Sequence, residues 1–200
     1  MKKIAFIFSL CLMFSFAYAG ECNPDKKLRI VIDAGHGGAD NGSGAELVTE
    51  KEIVMDVSKQ LKDLAVNRNI EIILLRESDE YLSLSERVEK IKTLKPDLVI
   101  SLHANYSNNE EDRGVEVFVN KNDHLMKSTY YATKLLESFA QKDFKVRPVK
   151  AAGFFILENI DCPAVMLELG FLSNKEDLSY LNSEFGKKFL AKQIVASLDF

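Results

Sequence analysis

Leu28-Arg-Ile-Val-Ile-Asp-Ala-Gly-His-Gly-Gly-Ala-Asp40 decides the fold, because an apolar run stops abruptly at a histidine set among glycines. Leu28, Ile30, Val31 and Ile32 are mostly β-branched and the run is bounded by turn formers, so residues 28–34 read as a buried strand. Gly35, Gly37 and Gly38 permit a tight turn and leave room around the His36 imidazole. Open α/β sheets keep their sites at the carboxyl ends of central strands, which makes His36 the first candidate metal ligand.

Outward from this stretch, Thr49 and Glu52 have the spacing of a capping box. Ile53, Val54, Val57, Leu61, Leu64 and Ala65 then recur at helical spacing, predicting a helix to about Val66. Glu50 falls in its first turn, where the helix dipole by itself favours a carboxylate. Ile70 to Leu75 reads as a second buried strand. Ser83 to Leu94 reads as a helix opened by Ser83 with Glu86, the segment ending at Pro96. Asp97 to Leu102 is a third strand, and it too stops at a histidine, His103. Glu110, Glu111 and Asp112 mark a solvated loop over 106–113, and Gly114 to Val119 alternates as an antiparallel or edge strand does. Residues 124–142 form an amphipathic helix with Tyr131, Leu135 and Phe139 on its core face, and His124 is a surface or helix-start residue. Phe154 to Leu157 suggests a short strand. Pro163 to Leu169 is a last buried strand carrying Glu168, and Asn174–Leu181 and Phe185–Leu198 close the chain as helices. This alternation predicts a three-layer α/β/α single domain with a mostly parallel, mixed central sheet of about six strands.

Two hundred residues without an internal repeat fit one domain, and an apolar content of 46% with 28% charged residues excludes a disordered chain. Lys2 and Lys3 precede the apolar run Ile4 to Phe16, and Ala17-Tyr18-Ala19 offers small residues for cleavage. Residues 1–19 thus read as a secretory signal peptide and 20–200 as the mature domain. The run falls short of the ~20 residues a membrane span needs, so no span is expected in the mature chain. Glu21 in front of Cys22 argues against a lipoprotein cleavage. The expected compartment is the periplasm or cell envelope. Removing Lys2 and Lys3 takes the net charge from −4 to −6, which excludes nucleic acid as a natural partner. Cys22 and Cys162 remain for an exported, oxidising compartment, and their positions before the first and last strands would let them pair.

Three apolar strands therefore end in reactive side chains, His36, His103 and Glu168, and a helix beginning near the first strand's loop offers Glu50. A parallel sheet brings such strand ends to one edge. Two imidazoles and a carboxylate are the three-ligand set of catalytic zinc, and the remaining carboxylate is left to take a proton from water. Taken alone, each residue has a plainer reading as a loop or helix-start residue. Glu168 is harder to dismiss, because an unpaired carboxylate on a strand as apolar as Ala164-Val-Met-Leu-Glu-Leu is costly.

The ordered blocks resemble those of the zinc-dependent N-acetylmuramoyl-L-alanine amidases of the type-3 amidase family. They are Asp33-Ala-Gly-His-Gly-Gly with Asp40, Glu50-Lys51, Leu75-Arg76-Glu-Ser-Asp79 with Leu84 and Arg87, Ser101-Leu-His-Ala-Asn105, Gly114-Val-Glu-Val, and Leu167-Glu-Leu-Gly-Phe-Leu-Ser-Asn174. The resemblance covers about residues 28 to 198; Ala34 stands where the family often has proline. It implies that His36, Glu50 and His103 hold one Zn2+ per chain and that Glu168 is the catalytic carboxylate. It also implies Glu50 and not Glu52 as the ligand, since Glu50-Lys51 matches the family's Glu-Lys pair. Arg76, Arg87 and Asn105 match family positions without an assigned role.

The function so implied is hydrolysis of the amide between N-acetylmuramic acid and L-alanine of the peptidoglycan stem peptide. Two alternatives share the fold or the metal: a non-catalytic peptidoglycan-binding protein and a zinc peptidase acting on free wall peptides. A phosphate-binding loop at Gly35–Gly44 is excluded, since Gly-Lys-Ser/Thr and the dinucleotide spacing are both missing. No separate wall-binding module is read in the chain. Some Gram-negative relatives insert a helical plug after the strand corresponding to Gly114–Val119, whereas residues 120–152 here are taken up by one amphipathic helix and a connection containing Pro148. A monomer active without an activator protein is therefore the expectation.

Overall fold

A computed structural model describes residues 27–45, 48–66, 68–140 and 144–198. The signal peptide and Cys22 lie outside the described residues. In chain order the elements are β1 (Leu28–Ala34), the two-residue strands β2 (Gly44–Ala45) and β3 (Val48–Thr49), α1 (Glu50–Leu64), β4 (Ile70–Leu74), α2 (Leu84–Leu94) and β5 (Leu98–Asn105). There follow β6 (Glu116–Val119), α3 (Leu125–Ala140), β7 (Lys150–Ala151), α4 (Phe155–Asn159), β8 (Ala164–Phe171), α5 (Lys175–Leu181) and α6 (Glu184–Ala196).

Six strands form the central sheet in the order β4-β1-β5-β8-β6-β7, while β2 and β3 make a small ribbon of their own. β4, β1, β5 and β8 run parallel, and β6 is antiparallel to β8. The mixed, mostly parallel α/β sheet expected from the sequence is therefore present. Each central strand is buried on both faces over most of its length, which is why its sequence admits few polar residues.

The two faces are unequal. Ile30, Ile32, Leu98, Ile100, Leu102, Val165 and Leu167 point into the larger core, where α1 contributes Ile53, Val57 and Leu61, α3 Leu135 and Phe139, and α6 Leu190 and Ile194. The alternate positions, Val31, Val99 and Met166, meet Val88 and Ile91 of α2 and Ile156 and Leu157 of α4 on the thinner face. Cys162 is buried on that thinner side, and burial pushes its thiol pKa up to about 11.

Three local expectations change. The capping box at Ser83 and Glu86 forms, but Thr49 donates its hydroxyl to the Glu52 side chain at 2.7 Å and caps no backbone N–H. β5 runs three residues beyond Leu102, because pairing with β8 continues through His103. Phe154 to Leu157 is not a strand: residues 155–159 are the short helix α4, and Lys150–Ala151 supplies the edge strand beside β6. A four-residue apolar run fits a strand or a buried helical turn equally, and here the flank of the sheet required the turn.

Candidate active site

The loop leaving β1 is held by two buried arginines. Arg76 donates from Nε to the carbonyl of Ala34 at 3.0 Å and from Nη2 to that of Gly35 at 2.9 Å. Arg87 donates from Nη1 to the Ala34 carbonyl and from Nη2 to that of His36, at 2.8 and 2.6 Å. Asp33, fully buried, answers Arg87 with one oxygen and takes the Ser101 hydroxyl with the other. His36 itself has φ +60°, a backbone conformation that costs a non-glycine residue energy and that this set of contacts maintains. Arg76 and Arg87, unassigned in the sequence, thus shape the strand end. Lys51 adds a clamp of the same kind, donating to the Gly38 carbonyl and to Asp79, whose other oxygen accepts from Gly38 N–H.

Three of the sequence candidates meet at this edge. Oε1 of buried Glu50 lies 3.1 Å from Nε2 of His36 and 2.8 Å from Nδ1 of His103. Its two oxygens also accept the backbone N–H groups of Ala104 and Ser43. Burial opposes ionisation of Glu50, but the two imidazoles outweigh it and hold the carboxyl well below the usual carboxylate range. Burial likewise pulls His36 down, and bonds to Glu50 and Asp40 reverse this, lifting it to about 8. Asp40 takes Nδ1 of His36 at 2.9 Å, so that Nε2 faces Glu50. Glycine is required at two places around this cluster. A Cβ on Gly35 would stand 2.4 Å from the His103 ring, and Gly42, with φ +67°, would strike Glu50 and His36.

One ligand atom from each of His36, Glu50 and His103 lies within 4.8 Å of the others, a grouping able to hold a metal ion. The donor set fits zinc chemistry: two imidazoles and one carboxylate, with the imidazole nitrogens converging on a single carboxylate oxygen that in isolation they can only share. Glu52 stays at the surface, away from the cluster. His124 pairs with Asp161 at the start of α3, also away from it.

Glu168 sits beside the triad, opposite His103 in the β5–β8 register. It is 9% exposed, and its Oε2 is the buried side-chain oxygen without a hydrogen-bond partner among the described residues. Burial lifts its pKa to about 7. A carboxyl so placed exchanges a proton readily near neutrality, as general acid–base chemistry requires. The four side chains line one cleft of about 530 Å³, walled by Leu84, Tyr106, Phe154, Phe155 and Met166.

A further group escaped the sequence reading. Glu116 of β6 faces Glu168 across the antiparallel pair, is buried, and accepts from Asn105 Nδ2 at 2.8 Å and Lys150 Nζ at 2.6 Å. Only the register of β6 on β8 joins these positions, and a single sequence carries no direct sign of that register. Arg147 completes the group 3.5 Å from Glu116, binding Asp112 as well. Asp112, expected in a solvated loop, is thus tied to the sheet edge.

Residues 30–199 match the family model described as N-acetylmuramoyl-L-alanine amidase. The chain is 31% identical to Bacillus subtilis YqiI over 185 residues, covering 90% of this chain and 88% of that one. It is 30% identical to N-acetylmuramoyl-L-alanine amidase LytC of Bacillus subtilis over 173 residues, but spans only 35% of LytC's length against 86% of its own. Among solved structures, the catalytic domain of CwlV, an N-acetylmuramoyl-L-alanine amidase from Bacillus (Paenibacillus) polymyxa, superposes with a TM-score of 0.78 at 28% identity, covering 85% of this chain and 95% of that domain.

Proposed function

The chain belongs to the N-acetylmuramoyl-L-alanine amidase family, and on that premise we propose that it is a zinc enzyme hydrolysing the amide between N-acetylmuramic acid and the L-alanine of the stem peptide in peptidoglycan. The observation that carries the reading is a buried, unpartnered carboxylate oxygen on Glu168 beside the convergent His36, Glu50 and His103. Bound to those three residues, zinc would supply Lewis acidity toward the scissile carbonyl and toward the attacking water.

Glu168 accepts the proton of that water and passes it to the departing amine of alanine. Its Oε2 is buried beside the three ligands with no hydrogen-bond partner among the described residues, which leaves it free to take the proton and return it. Glu50, ionised and held by two backbone N–H groups, keeps both imidazoles oriented. Leu84, Tyr106, Phe154 and Phe155 give the cleft apolar walls against which the substrate can pack. Export by the leader at 1–19 would place this chemistry in the periplasm or cell envelope, where the wall is.

Mass spectrometry of products from purified peptidoglycan tests the bond assignment. Free stem peptides bearing an intact L-alanine amine support it, whereas cuts within the peptide would mean a zinc peptidase. Glu168→Gln should retain the metal and lower turnover by ~100-fold or more, as loss of a general base does. Near-normal turnover in that variant would remove Glu168 from its role.

A further inference from the structure

The sheet face that carries the site continues beyond Glu168. Side chains at paired register positions share a face, so His103, Glu168 and Glu116 form one row across β5, β8 and β6. Phe118 and Met166 form the row below it, and Phe118 is also paired with Lys150 of β7. From there Lys150 reaches back up: its Nζ lies 5.6 Å from the Phe118 ring centroid and 2.6 Å from Glu116 Oε1. The ammonium therefore ends in the catalytic row, next to Glu116, on a side chain 48% exposed. A lysine has three donors, of which Glu116 takes one.

The chemistry gives this row a direction. Glu168 hands its proton to the departing amine, so it must stand on the amine side of the scissile bond, while His36, Glu50 and His103 stand on the carbonyl side. On that geometry the released peptide would lie over β8 and β6, toward Lys150, with the muramyl group on the side of His36 and Leu84. Along that path a peptide meets the carboxyl of Glu168, whereas Glu116 is buried and neutralised by Lys150 and Arg147. At the far end the half-exposed Lys150 ammonium keeps donors beyond the one that Glu116 takes. Strands are ~4.8 Å apart, so the ammonium stands ~5–10 Å from Glu168, a span of about one to three extended residues at ~3.5 Å each.

We propose that Lys150, steadied by Glu116 and by the ring of Phe118, is a specificity-determining subsite that receives a carboxylate on the leaving peptide within about three residues of the scissile amide. Arg147 supports it by sharing Glu116. The inference rests on the amidase reading above, because that reaction fixes which side the peptide leaves from.

The test uses two soluble muramyl peptides that differ only in the α-carboxyl of the glutamate following L-alanine, free in one and amidated in the other. The zinc-loaded chain should favour the free acid in kcat/KM, chiefly through KM. Lys150→Gln should lower the free-to-amidated ratio about fivefold, the size of one partly exposed ion pair, and Lys150→Arg should restore it. A wild-type ratio of one, or a ratio that Lys150→Gln leaves unchanged while both substrates slow together, would overturn the subsite and leave Lys150 as a support for Glu116. Release of no free alanine amine from either substrate would instead defeat the amidase reading.

Discussion

Replacing Glu168 by Gln should make the metal-free protein more stable at alkaline pH while removing its activity. The carboxyl is buried with one oxygen unpartnered, and burial lifts its pKa from an ordinary 4.5 to about 7. The folded chain therefore binds this proton more tightly than the unfolded chain, and native stability falls as pH rises from about 4.5 to about 7. Below that window both states are protonated and Gln gains nothing; above it the native state must hold a buried anion. The gap between 4.5 and about 7, at ~1.36 kcal/mol for each tenfold, amounts to ~3 kcal/mol. In a domain of this size ~3 kcal/mol corresponds to a rise in Tm of ~6–12 °C. The assay is urea denaturation of wild type and Glu168→Gln in EDTA at pH 4.5 and pH 8.5. A stability difference independent of pH, or a variant less stable than wild type at pH 8.5, would refute the account of Glu168 as a carboxylate kept at a cost for its chemistry.

His36→Ala with His103→Ala should abolish zinc binding and hydrolysis together; stoichiometric zinc in the double variant, measured by atomic absorption, would rule out this ligand set. Arg87→Met removes the partner of fully buried Asp33 and should cost ~3–5 kcal/mol in urea denaturation, and a loss below ~1 kcal/mol would show the pair to be dispensable. The triad opens into a cleft, and α3 is packed on the sheet through Ala132, Leu135 and Phe139. Purified residues 20–200 should accordingly hydrolyse peptidoglycan with zinc and no other protein; a folded, zinc-loaded preparation silent until an activator is added would contradict this.

The strand ends were legible because burial on both faces writes itself into sequence: Leu28–Ala34, Leu98–Leu102 and Ala164–Leu169 admit few polar residues, and the polar ones that end them stand out. Ser83 with Glu86 was equally plain, since a capping box is local. Less of the supporting shell could be read. Arg76 and Arg87 sit in charged stretches that look like surface, and only the fold shows them turned inward onto carbonyls of the β1 loop. The space left by Gly35 serves His103, from a strand nearly 70 residues away, and not the adjacent His36 as local reasoning suggests. Glu116, Asn105 and Lys150 meet through pairings of strands distant in sequence, which periodicity does not encode.

The guanidinium contacts around the β1 loop bear on how an ion would enter. Small zinc modules reach their fold only when the ion arrives, and chelators unfold them. Here Ala34, Gly35 and His36 are already fixed by permanent cations of the chain itself, so the seat exists before it is filled. Loading then resembles the docking of a ligand on a rigid host, and stripping the ion should silence the enzyme reversibly. Activity lost on chelation should therefore return at the rate of ion capture, without a refolding step.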